Sequence, residues 1–251
     1  MMHTINIKTK DEIEIMRQGG EKLSEIKKEV TSFIKLGINA MQVEELTTDL
    51  IKEKGGKPSF KMVPGYKWST CVNVNEGLVH GIPKDSVVFS KGDVVSVDMG
   101  IFFKDFHTDT SLTVAISPSG KITHMLDTGK RALKKAIKKA VPGGRIYDIS
   151  KAMQEEVEKG GYTPIRALVG HGIGRDLHEG PQIPCFVRGT RGKTPEIKEG
   201  MVIAIEVMYA VSKEDVKVEA DGWTISMRDG KISALYEDTV AITAKGPKVL
   251  T

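Results

Sequence analysis

Cysteine is nearly missing from this chain: 251 residues carry only Cys71 and Cys185. There is no disulfide framework and no closely spaced cysteine pair to suggest a structural zinc site. No apolar run approaches the roughly 20 residues needed to cross a bilayer, and the N-terminal stretch MMHTINIKTKDE lacks the apolar segment of a secretory signal. These absences lead us to expect a cytoplasmic protein with no membrane contact. A large excess of one charge sign is also lacking, and the net charge of +4 permits acidic partners without calling for nucleic acid. What is present is an ordinary globular composition, 39% hydrophobic and 28% charged, long enough for a sizeable core. One large domain or two closely packed halves both fit that length.

Four helices are legible. Thr9 and Glu12 have capping-box spacing, and Ile13, Met16, Leu23, Ile26, Val30 and Ile34 then recur at helical intervals up to Gly37, with Gly19-Gly20 as the weak point. Asn39 and Gln42 repeat the capping pattern ahead of Val43, Leu46, Leu50 and Ile51, and Gly55-Gly56 closes that second helix. Residues 122–140 give a third helix with Leu126, Leu133 and Ile137 inward and a basic outer stripe of Lys130, Arg131, Lys134, Lys135, Lys138 and Lys139. The stripe reads as a solvated face, with contact to ribosomal or other RNA as the alternative, since no aromatic residues are interleaved for base stacking. After Val141-Pro142-Gly143-Gly144, residues 146–159 form the fourth helix. These apolar faces should cover a sheet.

The chemistry gathers on strands. Val94, Val95 and Val97, then Leu112, Thr113 and Val114, suggest two paired strands about a turn region at Gly100. Strand parity puts Asp98 beside Ser96 on one face and Asp109 beside His107 and Ser111, with Val95, Val97, Leu112 and Val114 opposite. Two carboxylates on one sheet face repel unless a positive charge lies between them. Later, the apolar run MVIAIEVM carries Glu206 and the run SALYEDTVAI carries Glu237. A carboxylate inside a buried strand must be paired, protonated or metal-bound. His171 stands among three glycines in GHGIG and His178 follows beyond a Gly-rich bend, which favours a site, whereas His80, alone in a Pro- and Gly-rich turn, reads as solvated.

Asp98, Asp109, Glu206 and Glu237 with His171 therefore call for two divalent cations. An oxygen-rich set with one imidazole suits Mn, Fe, Co or Zn, and bridging carboxylates fit ions roughly 3.5–4 Å apart. The reaction class is metal-assisted hydrolysis.

Nearly end to end, the motifs IKTKDEIEIMRQGG, VNEGLVHGIP, VDMG with HTDTS, GHGIGRDLHEGP, EGMVIAIEVM, DGWTISMRDG and YEDTV make the chain resemble the type I methionine aminopeptidases of peptidase family M24. The resemblance implies an α+β pita-bread fold over residues 1–251, one catalytic domain of two pseudo-symmetric halves around a curved antiparallel sheet covered by helices. It implies removal of the initiator methionine from nascent polypeptides, in a monomer. Carried over, Asp98 is a ligand of one metal, Asp109 and Glu237 bridge, and His171 with Glu206 hold the other. Glu206 would also shuttle the proton, His178 would hydrogen-bond the scissile carbonyl, and His80 would contact the substrate near the cleaved amide. Tyr66, Cys71 and Trp223 look like walls of the methionine pocket.

The chain departs from the usual pattern at Val207, Asp238, Leu177, Phe60 and Val63, where the family commonly has proline, histidine, an aromatic residue, cysteine and tyrosine. None removes a metal ligand. They bear on pocket shape and metal preference, and Asp238 on how Glu237 is held. The rival of the same fold is an Xaa-Pro peptidase, which shares the five ligands and often has the Glu237–Val240 sequence; the VNEGLVHGIP and DGWT stretches speak against it.

Overall fold

The computed structural model describes residues 4–251; Met1, Met2 and His3, part of the stretch read for targeting, lie outside them. Helices α1 (Lys10–Phe33) and α2 (Ala40–Glu53) both open on the expected capping boxes, Thr9 with Glu12 and Asn39 with Gln42. Helices α3 (Gly120–Ile137) and α4 (Ile146–Lys159) follow, α3 beginning and ending a little earlier than its pattern suggested. The strands are β1 (Lys57–Pro58), β2 (Thr70–Val74), β3 (Gly77–Val79), β4 (Val94–Phe103), β5 (Phe106–Ala115), β6 (Thr163–Pro164), β7 (Val169–Gly172), β8 (Glu179–Pro184), β9 (Val202–Ala210), β10 (Val216–Val218), β11 (Ile225–Met227), β12 (Ser233–Thr243) and β13 (Gly246–Val249). No helix among the described residues is long and apolar enough to cross a membrane.

One large antiparallel sheet runs β1-β4-β5-β12-β9-β7-β8, with β2 on β4, β6 on β9 and β13 on β12, while β10, β11 and β3 form a separate three-stranded sheet. Each half of the large sheet carries a helix pair on the same side. Leu23, Ile26 and Val30 of α1 and Val43 and Ile51 of α2 pack on Val95, Val97, Met99, Ile101 and Leu112. Leu126, Leu133 and Ala136 of α3 and Ile149, Met153 and Val157 of α4 pack on Ile203, Ile205, Val207, Tyr236 and Val240. Because strand side chains alternate, Asp98, Asp109, Glu206 and Glu237 are all turned to the other face. Helices on one face and carboxylates on the other follow from the same period of two.

Two expectations need correction. The β4–β5 turn lies at Lys104 and Asp105, both with positive φ, and Gly100 is inside the strand opposite Asp109. Gly100 is there for close approach: a Cβ would lie 2.8 Å from Cβ of Ser59. Gly19-Gly20 is no weak point, since α1 runs through it unbroken and both residues are buried. A Cβ on Gly20 would lie 2.4 Å from the carbonyl oxygen of Leu250, so glycine admits the C-terminal segment against the helix.

Candidate active site

Five strands bring the expected ligands to one place. Asp98 on β4 is paired with Ser111 on β5, and Asp109 lies two residues before Ser111, diagonally across from Asp98. Glu237 on β12 faces Ser111 on one side and Glu206 of β9 on the other, and β9 pairs its Ala204 with His171 of β7. The apolar runs around Glu206 and Glu237 make central strands, and the break in apolarity falls where the sheet faces a cavity.

Asp109, His171 and Glu237 each offer a ligand atom, and these atoms all lie within 4.8 Å of one another. His171 Nε2 is 3.6 Å from Asp109 Oδ2 and 3.6 Å from Glu206 Oε1. Its Nδ1 is 2.9 Å from the carbonyl of Gly172; as donor there it leaves Nε2 unprotonated toward the carboxylates, the tautomer a ligand needs. Asp109 and Glu237 are buried, and Asp98 Oδ1 is sealed from solvent with no hydrogen-bond donor among the described residues.

Burial and mutual repulsion push the carboxyls of Asp98, Glu206 and Glu237 well above the ordinary range. Burial pushes Asp109 up to about 7, opposed by His178. Without a cation, these groups resist ionisation together; with one, their charges become an asset. A sealed orphan carboxylate oxygen and a correctly presented imidazole nitrogen fit hard or borderline divalent ions.

Above the ligands lies a cavity of about 150 Å³, walled by Phe60, Val63, Tyr66, Cys71, Leu177 and Trp223 and including His80, His178 and Val79. Tyr66 and Trp223 meet edge to face at 5.1 Å, and the Tyr66 hydroxyl donates to the carbonyl of Thr70 at 2.8 Å. Burial raises the Cys71 thiol far above its usual range, making it an inert wall. His178 is exposed at the mouth, its ring 4.5 Å from that of His171. His80, also exposed, takes φ +57 just after β3.

All the sequence-expected ligands and pocket residues line this one cavity, His80 included although it read as solvated when taken alone. His107, two residues before Asp109 on β5, shares its face as expected but does not line the cavity: Nδ1 lies 2.9 Å from Ser59 Oγ, and burial holds the ring's pKa down to about 4. Sequence reasoning missed Thr239, whose hydroxyl donates to the backbone carbonyl of Asp109 at 2.8 Å and lies 3.2 Å from its Oδ1. Its signal was there, two residues beyond Glu237 and so on the same face. It also missed Lys8, whose buried ammonium pairs with Glu179 beside His178; no local pattern marks that partner.

A family model described as metallopeptidase family M24 matches residues 14–244. Methionine aminopeptidase 1 of Bacillus subtilis is 41% identical, the match covering 97% of this chain and 98% of that protein. The crystal structure of methionine aminopeptidase from Thermotoga maritima superposes with a TM-score of 0.95 at 40% identity, over 99% of each chain. The prolidase of Pyrococcus furiosus superposes less well, with a TM-score of 0.77 at 27% identity, and only 65% of that chain is covered.

Proposed function

The chain belongs to metallopeptidase family M24, and within it we propose that it works as a methionine aminopeptidase, a hydrolase that removes methionine from the N-terminus of nascent proteins and peptides. The observation that carries this reading is the convergence of Asp109, His171 and Glu237 beneath an apolar, aromatic-walled cavity. Asp98, Asp109, His171, Glu206 and Glu237 would hold two divalent ions, drawn from Mn, Fe, Co and Zn. Bound there, they supply a water whose pKa falls from about 15.7 toward about 7, so that hydroxide is available at neutral pH.

The chain's own residues do the rest. Glu206 lines the cavity with its Oε1 3.6 Å from His171 Nε2, where it would take up the proton of the attacking water and deliver it to the leaving nitrogen. His178, at the mouth, donates to the scissile carbonyl oxygen as negative charge develops there. His80, which lines the same cavity, contacts the cleaved amide. The unbranched, polarizable methionine side chain enters between Tyr66, Cys71 and Trp223, where sulfur contacts to aromatic rings are favourable. Leu177, Phe60 and Val63 shape the same pocket.

We read the protein as a cytoplasmic monomer of one catalytic domain, residues 1–251, acting on unfolded polypeptide N-termini. Arg131 and Lys135 of the basic stripe are bound to Glu156 of α4, leaving Lys130, Lys134, Lys138 and Lys139 exposed for a ribosome contact. Cleavage of Met-Gly-Met-Met against an Xaa-Pro peptide tests the assignment. Release of methionine should be the faster; faster release from the proline peptide would overturn the reading in favour of the rival.

A further inference from the structure

The two halves of the large sheet meet at β5 and β12, and this joint is thin. Only Ser111 with Glu237 and Thr110 with Asp238 are directly paired, whereas β4–β5 and β9–β12 pair along most of their length. At each end of the short ladder a threonine hydroxyl stands in for a backbone pair. Thr239 Oγ1 accepts from the Asp109 N–H at 3.1 Å and donates to the Asp109 carbonyl, and Thr113 Oγ1 accepts from the Leu235 N–H at 3.2 Å and donates to the Leu235 carbonyl. Asp109 and Glu237 thus lie on opposite sides of a seam with little ladder of its own.

Lys27 of α1 crosses that seam from the helix side. Its ammonium is 2.8 Å from Thr110 Oγ1 on β5, 2.9 Å from Asp238 Oδ1 on β12 and 3.5 Å from the Glu237 carbonyl. Thr110 is the residue after Asp109, and Asp238 the residue after Glu237. Three donors on one atom therefore tie both strands at positions adjacent to the two ligands. We propose that Lys27 is a positioning residue for the metal centre: it clamps β5 to β12 from behind and so sets the separation of Asp109 from Glu237.

The proposal rests on Asp109 and Glu237 being metal ligands, so its test reads metal binding first. Mn²⁺ is titrated into metal-free wild type, Lys27→Met, Lys27→Arg and the double variant Lys27→Met/Asp238→Asn, with unfolding curves run in parallel. The Lys27 and Asp238 side chains are partly exposed, so the neutralised pair can be accommodated. Lys27→Met and the double variant should lose about 10–100-fold in Mn²⁺ affinity, as expected for supports behind ligands, and Lys27→Arg should recover most of it. The Co²⁺ absorption bands of the double variant should shift as the ligands move apart. Wild-type Mn²⁺ affinity in the double variant would overturn the clamp, because any loss in Lys27→Met alone would then come from the unpaired Asp238. If Lys27→Met does not fold, the double variant and Lys27→Arg decide between the same two outcomes. Failure of the wild type itself to bind Mn²⁺ would instead sink the ligand assignment.

Discussion

Glu206 and Glu237 are direct cross-strand partners on β9 and β12, two carboxylates facing each other in the middle of a sheet. Like charges directly opposite destabilise a sheet, and here burial raises both carboxyls well above their ordinary range as well. The arrangement is unfavourable until a cation is shared.

Metal should therefore stabilise the fold as well as serve catalysis. Saturating Mn²⁺ at about 100 times its dissociation constant should add about 2.7 kcal/mol, an increase in Tm on the order of 5–10 °C over chelated protein. Glu206→Gln relieves the repulsion, so its metal-free form should melt no lower than metal-free wild type while gaining less from Mn²⁺. Identical melting curves for chelated and loaded wild type would rule out the shared-cation account.

Most of the site was readable because its residues obey a period of two on strands that also announce themselves by apolar alternation. Asp98, Glu206 and Glu237 each interrupt an apolar run, which is a local signal, and Asp109 sits in the polar stretch HTDTS of the paired strand. The helices were legible from their capping residues and apolar stripes. What escaped depends on partners far away in the chain: Lys27 meets Asp238, and Lys8 meets Glu179, across separations that no local pattern encodes. Gly19, Gly20 and Gly100 misled for the same reason, since glycine reads as a break unless the neighbour that needs its missing Cβ is known. The short strands β10, β11 and β13, beyond the two late strands expected, are held by pairing and not by composition.

Gly20→Ala tests the close approach of the C-terminus. Its Cβ would lie 2.4 Å from the Leu250 carbonyl oxygen and 3.0 Å from the Leu250 Cβ, so the last residues must move off α1. A loss of about 1–3 kcal/mol in denaturant unfolding is expected, although alanine is the better helix former. A gain in stability would show that the C-terminal segment yields freely.

Lys8→Met should destabilise strongly. The Lys8–Glu179 pair is almost wholly buried, with side chains 4% and 2% exposed, and removing one partner of such a pair typically costs about 3–5 kcal/mol. Glu179 follows His178 and begins β8, so the damage should reach turnover too. The double variant Lys8→Met/Glu179→Gln should recover much of the stability, because no unpaired charge remains. If Lys8→Met unfolds at the wild-type denaturant midpoint, the pair contributes nothing.

His171 and His178 lie ring to ring yet should fail differently when removed. His171 presents Nε2 to Asp109 and Glu206 and sits on a paired strand, so His171→Ala removes a ligand atom from the centre of the cluster. Methionine release should be lost, with Mn²⁺ affinity sharply reduced and the fold retained. His178 stands at the exposed mouth, seven residues beyond His171 and off the paired strand that carries it. His178→Ala should therefore keep Mn²⁺ affinity near that of wild type while kcat falls by roughly 10²–10³, the usual loss for one oxyanion donor. The two measurements together, Mn²⁺ titration and steady-state kinetics on Met-Gly-Met-Met, assign the roles. Should His178→Ala lose metal and kcat in parallel, it is a ligand and the oxyanion donor must be sought elsewhere, with His80 the next residue to substitute.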